Sequence, residues 1–120
     1  MNDETVDVRD RPEEQRYVLT TIESRAAVIG EEIYTDLTPA AGRAQRVLIH
    51  TGVDDAYGGR GLASVLVQRV LDDVIDQGRD IVPICPYVVR WLSRHPEYAD
   101  HVIEPTEEHR RAAKARRQQS

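Results

Sequence analysis

Along the first half of the chain, apolar residues come in short β-branched runs parted by turn residues; later they fall into a helical period. Residues 16–23, RYVLTTIE, alternate and predict a strand. Residues 26–37, AAVIGEEIYTDL, predict a second strand in which Gly30 offers a place for a bulge. Ser24 and Arg25 would form the tight turn between the two. After a loop at 38–43 marked by Pro39 and Gly42, residues 44–53, AQRVLIHTGV, predict a third strand. Its unbroken apolar centre at 47–49 implies cover on both faces. Leu62, Leu66, Val70 and Val74 then step by four, with Ala63, Val67, Leu71 and Ile75 beside them. The spacing predicts an amphipathic helix over 61–78 with Gly78 closing it at C′. DIVPI, 80–84, predicts a short buried strand in which Pro83 needs a position without a ladder donor. PYVVRWLSRH opens on Pro86 in a first helical turn, presents Val88, Trp91 and Leu92 as its core face, and is ended by Pro96. PEYADHVI predicts one more helical turn and then an extended piece.

The order β-β-β-α-β-α predicts an α/β (α+β) fold. The first three strands are expected antiparallel, and the strand-helix-strand unit requires a parallel, right-handed crossover. The result is a mixed sheet with helices packed on it. Strand 16–23 would then be an exposed edge open to a partner strand, compatible with a monomer or a weak homodimer.

Charge delimits the domain. Residues 1–14 carry six acids and two bases and little to bury, so they read as a flexible acidic N-terminus. Residues 105–120 carry two acids and five bases and read as a basic C-terminal tail, a solvated end or a short exposed helix. The folded domain is thus expected at 15–104, one unit in a chain of 120 residues. With no Phe, one Trp and five Tyr, its core must be built from Val, Ile, Leu and Ala. A net charge of −5 gives no footprint for nucleic acid. One cysteine allows no internal disulfide. No apolar run approaches the ~18 residues of a membrane span, and the acidic start does not resemble a signal peptide. A cytoplasmic protein with neither membrane nor nucleic-acid partner is expected. His95, His101 and His109 have no metal-ligand spacing with one another or with Cys85, so no metal is expected. His95 suits a helix C-terminus, and the acids at 72, 73 and 76 suit a solvated helix face.

Two stretches can carry chemistry. VDDAYGGRGLA, 53–63, joins the third strand to the long helix. Gly58, Gly59 and Gly61 leave the backbone open, the amides through Leu62 and Ala63 lie at the positive end of the helix, and Arg60 adds a charge. Such a turn can cradle a diphosphate; it can also be a plain glycine-rich turn. It lacks the third glycine of a dinucleotide fingerprint and the Gly-Lys-Ser/Thr of a P-loop. The second stretch is IVPICPYVVRW, 81–91. Cys85 follows a strand and precedes a helix, where parallel strands end side by side and ligands bind. A thiol at a helix N-terminus is activated, although a lone cysteine also serves as an inert core residue. His50, which in period two shares a face with Leu48 and Gly52, is either a general base or a hydrogen-bonded core histidine. Tyr87 either donates a proton to a leaving group or packs with its hydroxyl at the rim.

His50-Thr51-x-Val53, Gly59-Arg60-Gly61, Cys85-Pro86-Tyr87 and His95-Pro96-x-Tyr98, in this order over about residues 16–103, resemble the small, single-domain YjdJ-type N-acetyltransferase-like branch of the GNAT superfamily. The resemblance implies an acyltransferase that binds acetyl-CoA as co-substrate and acetylates an amine on a small molecule or protein. It implies that the strand bearing Thr51 and Val53 pairs with the pantetheine arm and that loop 58–63 holds the pyrophosphate. Strands 47–53 and 81–84 would splay to admit the thioester beside Cys85 and Pro86. Ala56 stands where the superfamily motif has Gln or Arg. Gly52 stands where the group often has an acid, which leaves His50, Cys85 or no catalysis at all. The alternatives are therefore direct transfer with His50 as base, a covalent Cys85 route, and a CoA-binding or sensing module without turnover. In the first two, Tyr87 would protonate the departing thiolate. A thiol redox or CoA-disulfide site at Cys85 is a further reading, with no second cysteine to resolve an oxidised thiol.

Overall fold

The computed structural model describes residues 6–22 and 27–119. Five strands, β1 (Val6–Arg11), β2 (Arg16–Thr21), β3 (Gly30–Leu37), β4 (Gln45–Val53) and β5 (Asp80–Pro83), stand side by side in sequence order. The first three pairings are antiparallel and the last, between β4 and β5, is parallel. The parallel pair encloses α1 (Leu62–Asp76); α2 (Pro86–Ser93) and α3 (Glu107–Gln118) follow. The mixed α/β sheet expected from the sequence is present, with one strand more at its start and one helix more at its end.

Both additions correct the reading of the termini. Val6–Arg11 is a strand and not a mobile lead-in: all six residues pair with β2, and Val6 is buried. Its charges misled because they alternate. Val6 and Val8 join the core, while Asp7 and Arg9 pair with each other at 2.5 Å on the opposite face. With β1 in place, 16–21 is an interior strand and not a free edge. Residues 1–5 and the expected turn at Ser24 and Arg25 lie outside the described residues.

The basic tail is likewise built in. α3 lies on the face of the sheet opposite α1, where Ala113 packs with Val47, Ile49 and Val82, and Ile33, Leu37 and Ile84 border them. The Arg116 guanidinium is buried and donates to the carbonyls of Glu14 (2.9 Å), Gln15 (3.3 Å) and Tyr34 (3.2 Å). The backbone amide of Thr106 donates to His109 Nδ1 at 2.9 Å, and His109 Nε2 meets Gln45 Oε1 at 2.8 Å. The arginine that made the tail look solvated is one that anchors it. This also explains the apolar run 47–49: β4 is covered on both faces.

The main core lies between the sheet and α1, whose Leu62, Leu66, Val67, Val70, Leu71 and Val74 are all buried. Each such side chain contributes about 1.5–3 kcal/mol, so packing rather than helix propensity holds α1. Gly78 closes α1 at φ +76. Trp91 Nε1 donates to Ser64 Oγ at 2.8 Å and its ring stacks on His95 at 3.7 Å, which ties α2 to α1. The acids of α1 are not simply solvated. Asp72 accepts from the Tyr98 hydroxyl at 2.7 Å and Asp73 from the Tyr17 hydroxyl at 2.6 Å.

Near the start of β4, buried Arg46 grips both oxygens of Asp36 (2.8 and 2.9 Å), donates to the Tyr17 hydroxyl at 2.8 Å and lies 3.8 Å over the Tyr34 ring. This network pins the lower part of the sheet, and the other end of β4 carries the candidate site.

Candidate active site

Register in β4 decides what reaches the site. Ile33 pairs with His50, but the next residue, Tyr34, pairs with Leu48, so Ile49 is an extra residue in β4. This is a β-bulge, and it reverses the alternation beyond it. Ile49 lies under α3, and His50 shares that face, since a Cβ on Gly52 would come within 3.2 Å of His50 Nε2. Thr51 and Val53 thereby turn to the α1 face together with Leu48. The expectation that His50 shares a face with Leu48 is corrected by this bulge, which lies at Ile49 and not at Gly30. Gly30 is needed for another reason: a Cβ there would stand 3.0 Å from Leu19 and 3.1 Å from the Gly52 carbonyl oxygen.

The β4–β5 ladder runs from Gln45/Asp80 to Leu48/Pro83 and stops. The amides of Ile84 and Cys85 both donate to the Leu48 carbonyl, at 2.9 and 3.0 Å. The chain then turns into α2 with Cys85 as its N-cap and Pro86 in the first turn. Ile81 turns its carbonyl outward to Ile103, and the amide of Ile84 faces β4, so the Pro83 nitrogen faces outward, where no ladder donor is required. Ile49–Val53 continue without a β5 partner. The two parallel strands part at this point, and Cys85 sits at the root of the opening.

Cys85 is a free, buried thiol. Its Sγ lies 3.4 Å from Thr51 Oγ1. The same Thr51 hydroxyl makes a short hydrogen bond to Glu32 Oε1. Glu32 has no exposed surface, and its second oxygen, Oε2, has no hydrogen-bond partner among the described residues. Burial raises the Glu32 carboxyl well above the usual carboxylate range; the Thr51 hydroxyl opposes the rise, and Cys85 and Glu31 add to it.

The turn from β4 into α1 begins with Asp54, which accepts from the Ala56 amide at 3.0 Å and opens the short helix Asp55–Tyr57. Gly59 and Gly61 have φ of +78° and +72°, and a Cβ at either would meet nothing within 4 Å. Gly61 is the N-cap of α1, with no side chain capping the first amides of that helix. Arg60 leans over the Tyr57 ring at 5.2 Å. Gly58 is already engaged, its amide donating to Asp55. Leu62 is buried in the core, so only its backbone faces the turn; Ala63 is partly exposed.

Of the residues singled out from sequence, Thr51 and Cys85 are thus in contact, Val53 shares their face, and Pro86 is exposed beside Cys85. Tyr87 is half-buried in the first turn of α2 under Arg90, and its hydroxyl has no hydrogen-bond partner among the described residues. His50 is exposed on the other side of the sheet and is not brought to the thiol. Glu32 was missed. Its signal lay in GEEIYTDL, where period two places Glu32 in phase with the inward Tyr34.

The sequence of residues 16–101 matches the model of the GCN5-related N-acetyl-transferase family. The chain belongs to that family. The Gallus gallus protein NATD1 is 35% identical over 57 residues, 46% of this chain and 52% of that protein. The Homo sapiens protein NATD1 is 37% identical over 49 residues, 41% of this chain and 43% of that protein. The chain thus spans about half the length of the curated relatives it matches. The solution structure of a GCN5-like protein from Staphylococcus aureus superposes with a TM-score of 0.58 at 18% identity, over 86% of this chain and 93% of that one. At that identity the likeness is one of fold. No helix among the described residues is long and apolar enough to cross a membrane.

Proposed function

We propose that this GCN5-related acetyltransferase takes an acetyl group from acetyl-CoA and passes it to an amine, with Cys85 as the residue that meets the thioester. The observation that carries this reading is the parting of β4 and β5 beyond Leu48 and Pro83, with Cys85 at its root. An extended arm bearing amides can pair with the unpartnered edge of β4 around Thr51 and Val53, much as a further strand would. The diphosphate would lie on the turn at Gly59–Ala63. There two glycines in the left-handed region leave open space where side chains would stand, and the first amides of α1 lack a cap. The residues present therefore fit the ligand at both ends.

The covalent route through Cys85 is favoured over direct transfer by the placement of His50. A base for an incoming amine has to stand on the Thr51 face, and His50 stands on the other. Gly52 offers no carboxylate. In the route proposed, the Cys85 sulfur attacks the thioester carbonyl, the carbon–sulfur bond to CoA breaks, and the amine later takes the acetyl group from Cys85. The acceptor is a primary amine of a small molecule or a protein.

The test is mass spectrometry of the protein mixed with acetyl-CoA, with free-thiol release measured over a panel of amines. A single acetyl on Cys85, lost when an amine is added, is expected. Unchanged turnover in Cys85→Ser would sink the covalent route. Calorimetric binding of acetyl-CoA without thiol release under any amine would favour a CoA-binding module instead.

A further inference from the structure

Glu32 has no place in the reaction just proposed, yet its burial is costly. A carboxyl without exposed surface is retained against a substantial desolvation penalty unless its oxygens are satisfied, and one of them is not. A purely structural acid would be replaced at no loss by an apolar residue of that size. Its one bond is to Thr51, and Thr51 in turn touches the thiol. A threonine hydroxyl has a single proton. Since that proton is given to Glu32, the contact with Cys85 is made by the hydroxyl's lone pair, and the thiol is the donor. The atoms Sγ–H, Oγ1–H and Oε1 therefore form a continuous path from the reacting sulfur to a buried carboxyl.

We propose that Glu32 holds the Cys85 proton, received through the Thr51 hydroxyl, and returns it by the same path to the departing CoA sulfur. The inference rests on the thioester reading of Cys85. Above the raised Glu32 value, where the carboxyl is ionised, the thiol proton passes to Thr51 Oγ1 and the Thr51 proton passes to Glu32 Oε1 as the Cys85 sulfur forms its bond to the acetyl carbon. The carbon–sulfur bond of the thioester breaks, its electron pair leaves on the CoA sulfur, and that sulfur takes the proton back along the path. The products are S-acetyl Cys85 and free CoA thiol, with Thr51 and Glu32 restored. Glu32 touches no substrate, so it is a positioning residue acting through Thr51. The titratable groups acting on it are Cys85 and Glu31, and both disfavour its charge. An apolar setting of that kind makes a carboxylate a better proton acceptor than one in water.

The test begins without CoA. Cys85 in the full chain is alkylated with iodoacetamide from pH 5 to pH 10. Where Cys85 and Glu32 share one proton, the thiolate fraction is set by the sharing and not by pH, so the wild-type rate should show a plateau. In Glu32→Gln the plateau should vanish, the rate rising about tenfold per pH unit over the same interval, as for a thiol that loses its proton to water. The second arm is single-turnover acetylation of Cys85 by acetyl-CoA. Glu32→Gln and Thr51→Val should both be slower by about 10²-fold or more, and Thr51→Ser should stay within a few-fold of wild type. A Glu32→Gln profile identical in shape to wild type overturns the proposal, as does full-speed acetylation in Thr51→Val. Should Glu32→Gln not fold, the Thr51 pair decides, because loss in valine and rescue in serine follows the hydroxyl and not the packing. Failure of wild-type protein to bind acetyl-CoA by calorimetry would strike the proposed function, while the alkylation profile would still judge the proton path.

Discussion

His50 and Thr51 are neighbours in β4 and lie on opposite faces of the sheet, because Ile49 is the extra residue of a bulge. A histidine followed by threonine invites the reading of a base beside a binding residue, and the bulge separates them. His50→Ala should therefore leave acetyl-CoA-dependent thiol release within about twofold of wild type, and stability within about 0.5 kcal/mol, as for other exposed positions. A loss of tenfold or more in thiol release would restore His50 to the reaction.

The same sheet face depends on α3. Arg116 donates to the carbonyls of Glu14, Gln15 and Tyr34, and hydrogen bonds from a charged donor contribute about 1.5–3 kcal/mol each where buried. Arg116→Ala should lower the urea midpoint by an amount equivalent to about 2–4 kcal/mol, because the carbonyls lose a partner in a dry place. Ala113→Asp, which puts a charge between Val47, Ile49 and Val82, should be at least as severe. Denaturation curves superimposable on wild type would mean that α3 is dispensable to the fold.

Legibility followed the physics of each segment. α1 was readable because its stripe repeats through four turns and a glycine closes it. The parting of β4 and β5 was implied by the family resemblance, while Pro83 and Pro86 marked only a strand position without a ladder donor and the start of a helix. β1 and α3 were not, since each buries only one thin face and offers charges on the rest: Val6 and Val8 in one, His109, Ala113 and Arg116 in the other. Composition sees the charges, and only tertiary placement shows that Arg116 points inward. The proton path was half legible. Cys85 and Thr51 stood out, but the phase of β4 past Ile49 cannot be read from a strand alone, because a bulge is a property of the pair. Glu32 was hidden for the converse reason, an acid in a strand being most often solvent-facing.

Gly59 and Gly61 offer a cleaner test of the turn than of the crevice. Both have positive φ with open space around the missing Cβ, so the obstacle to alanine is backbone conformation and not crowding. Gly59→Ala and Gly61→Ala should each cost about 1 kcal/mol or somewhat more in stability. The double variant should weaken acetyl-CoA binding by at least about tenfold in calorimetry, since the amides of the turn no longer converge. Binding at wild-type strength in a folded double variant would place the diphosphate elsewhere.

The last expectation concerns stability and pH. The folded state raises the Glu32 carboxyl above its unfolded value, chiefly through burial. Below the unfolded value both states hold the proton, and the burial costs nothing in charge. As pH rises past it, the unfolded chain releases the proton while the folded chain still holds it, so the folded state binds more protons and stability falls with rising pH. The fall continues until the raised folded value is passed and then levels. Glu32→Gln cannot ionise in either state and should lack this decline. Thermal melting of the two proteins between pH 4 and pH 9 should therefore give curves that lie close together at the acid end and diverge upward, the variant melting at the higher temperature near neutrality. A wild-type melting temperature that rises through this range in step with the variant, or a variant less stable at every pH, would contradict a Glu32 carboxyl raised by burial. It would also count against the carboxyl being held ready in an apolar setting, since the same desolvation that costs stability is what makes Glu32 take the thiol proton.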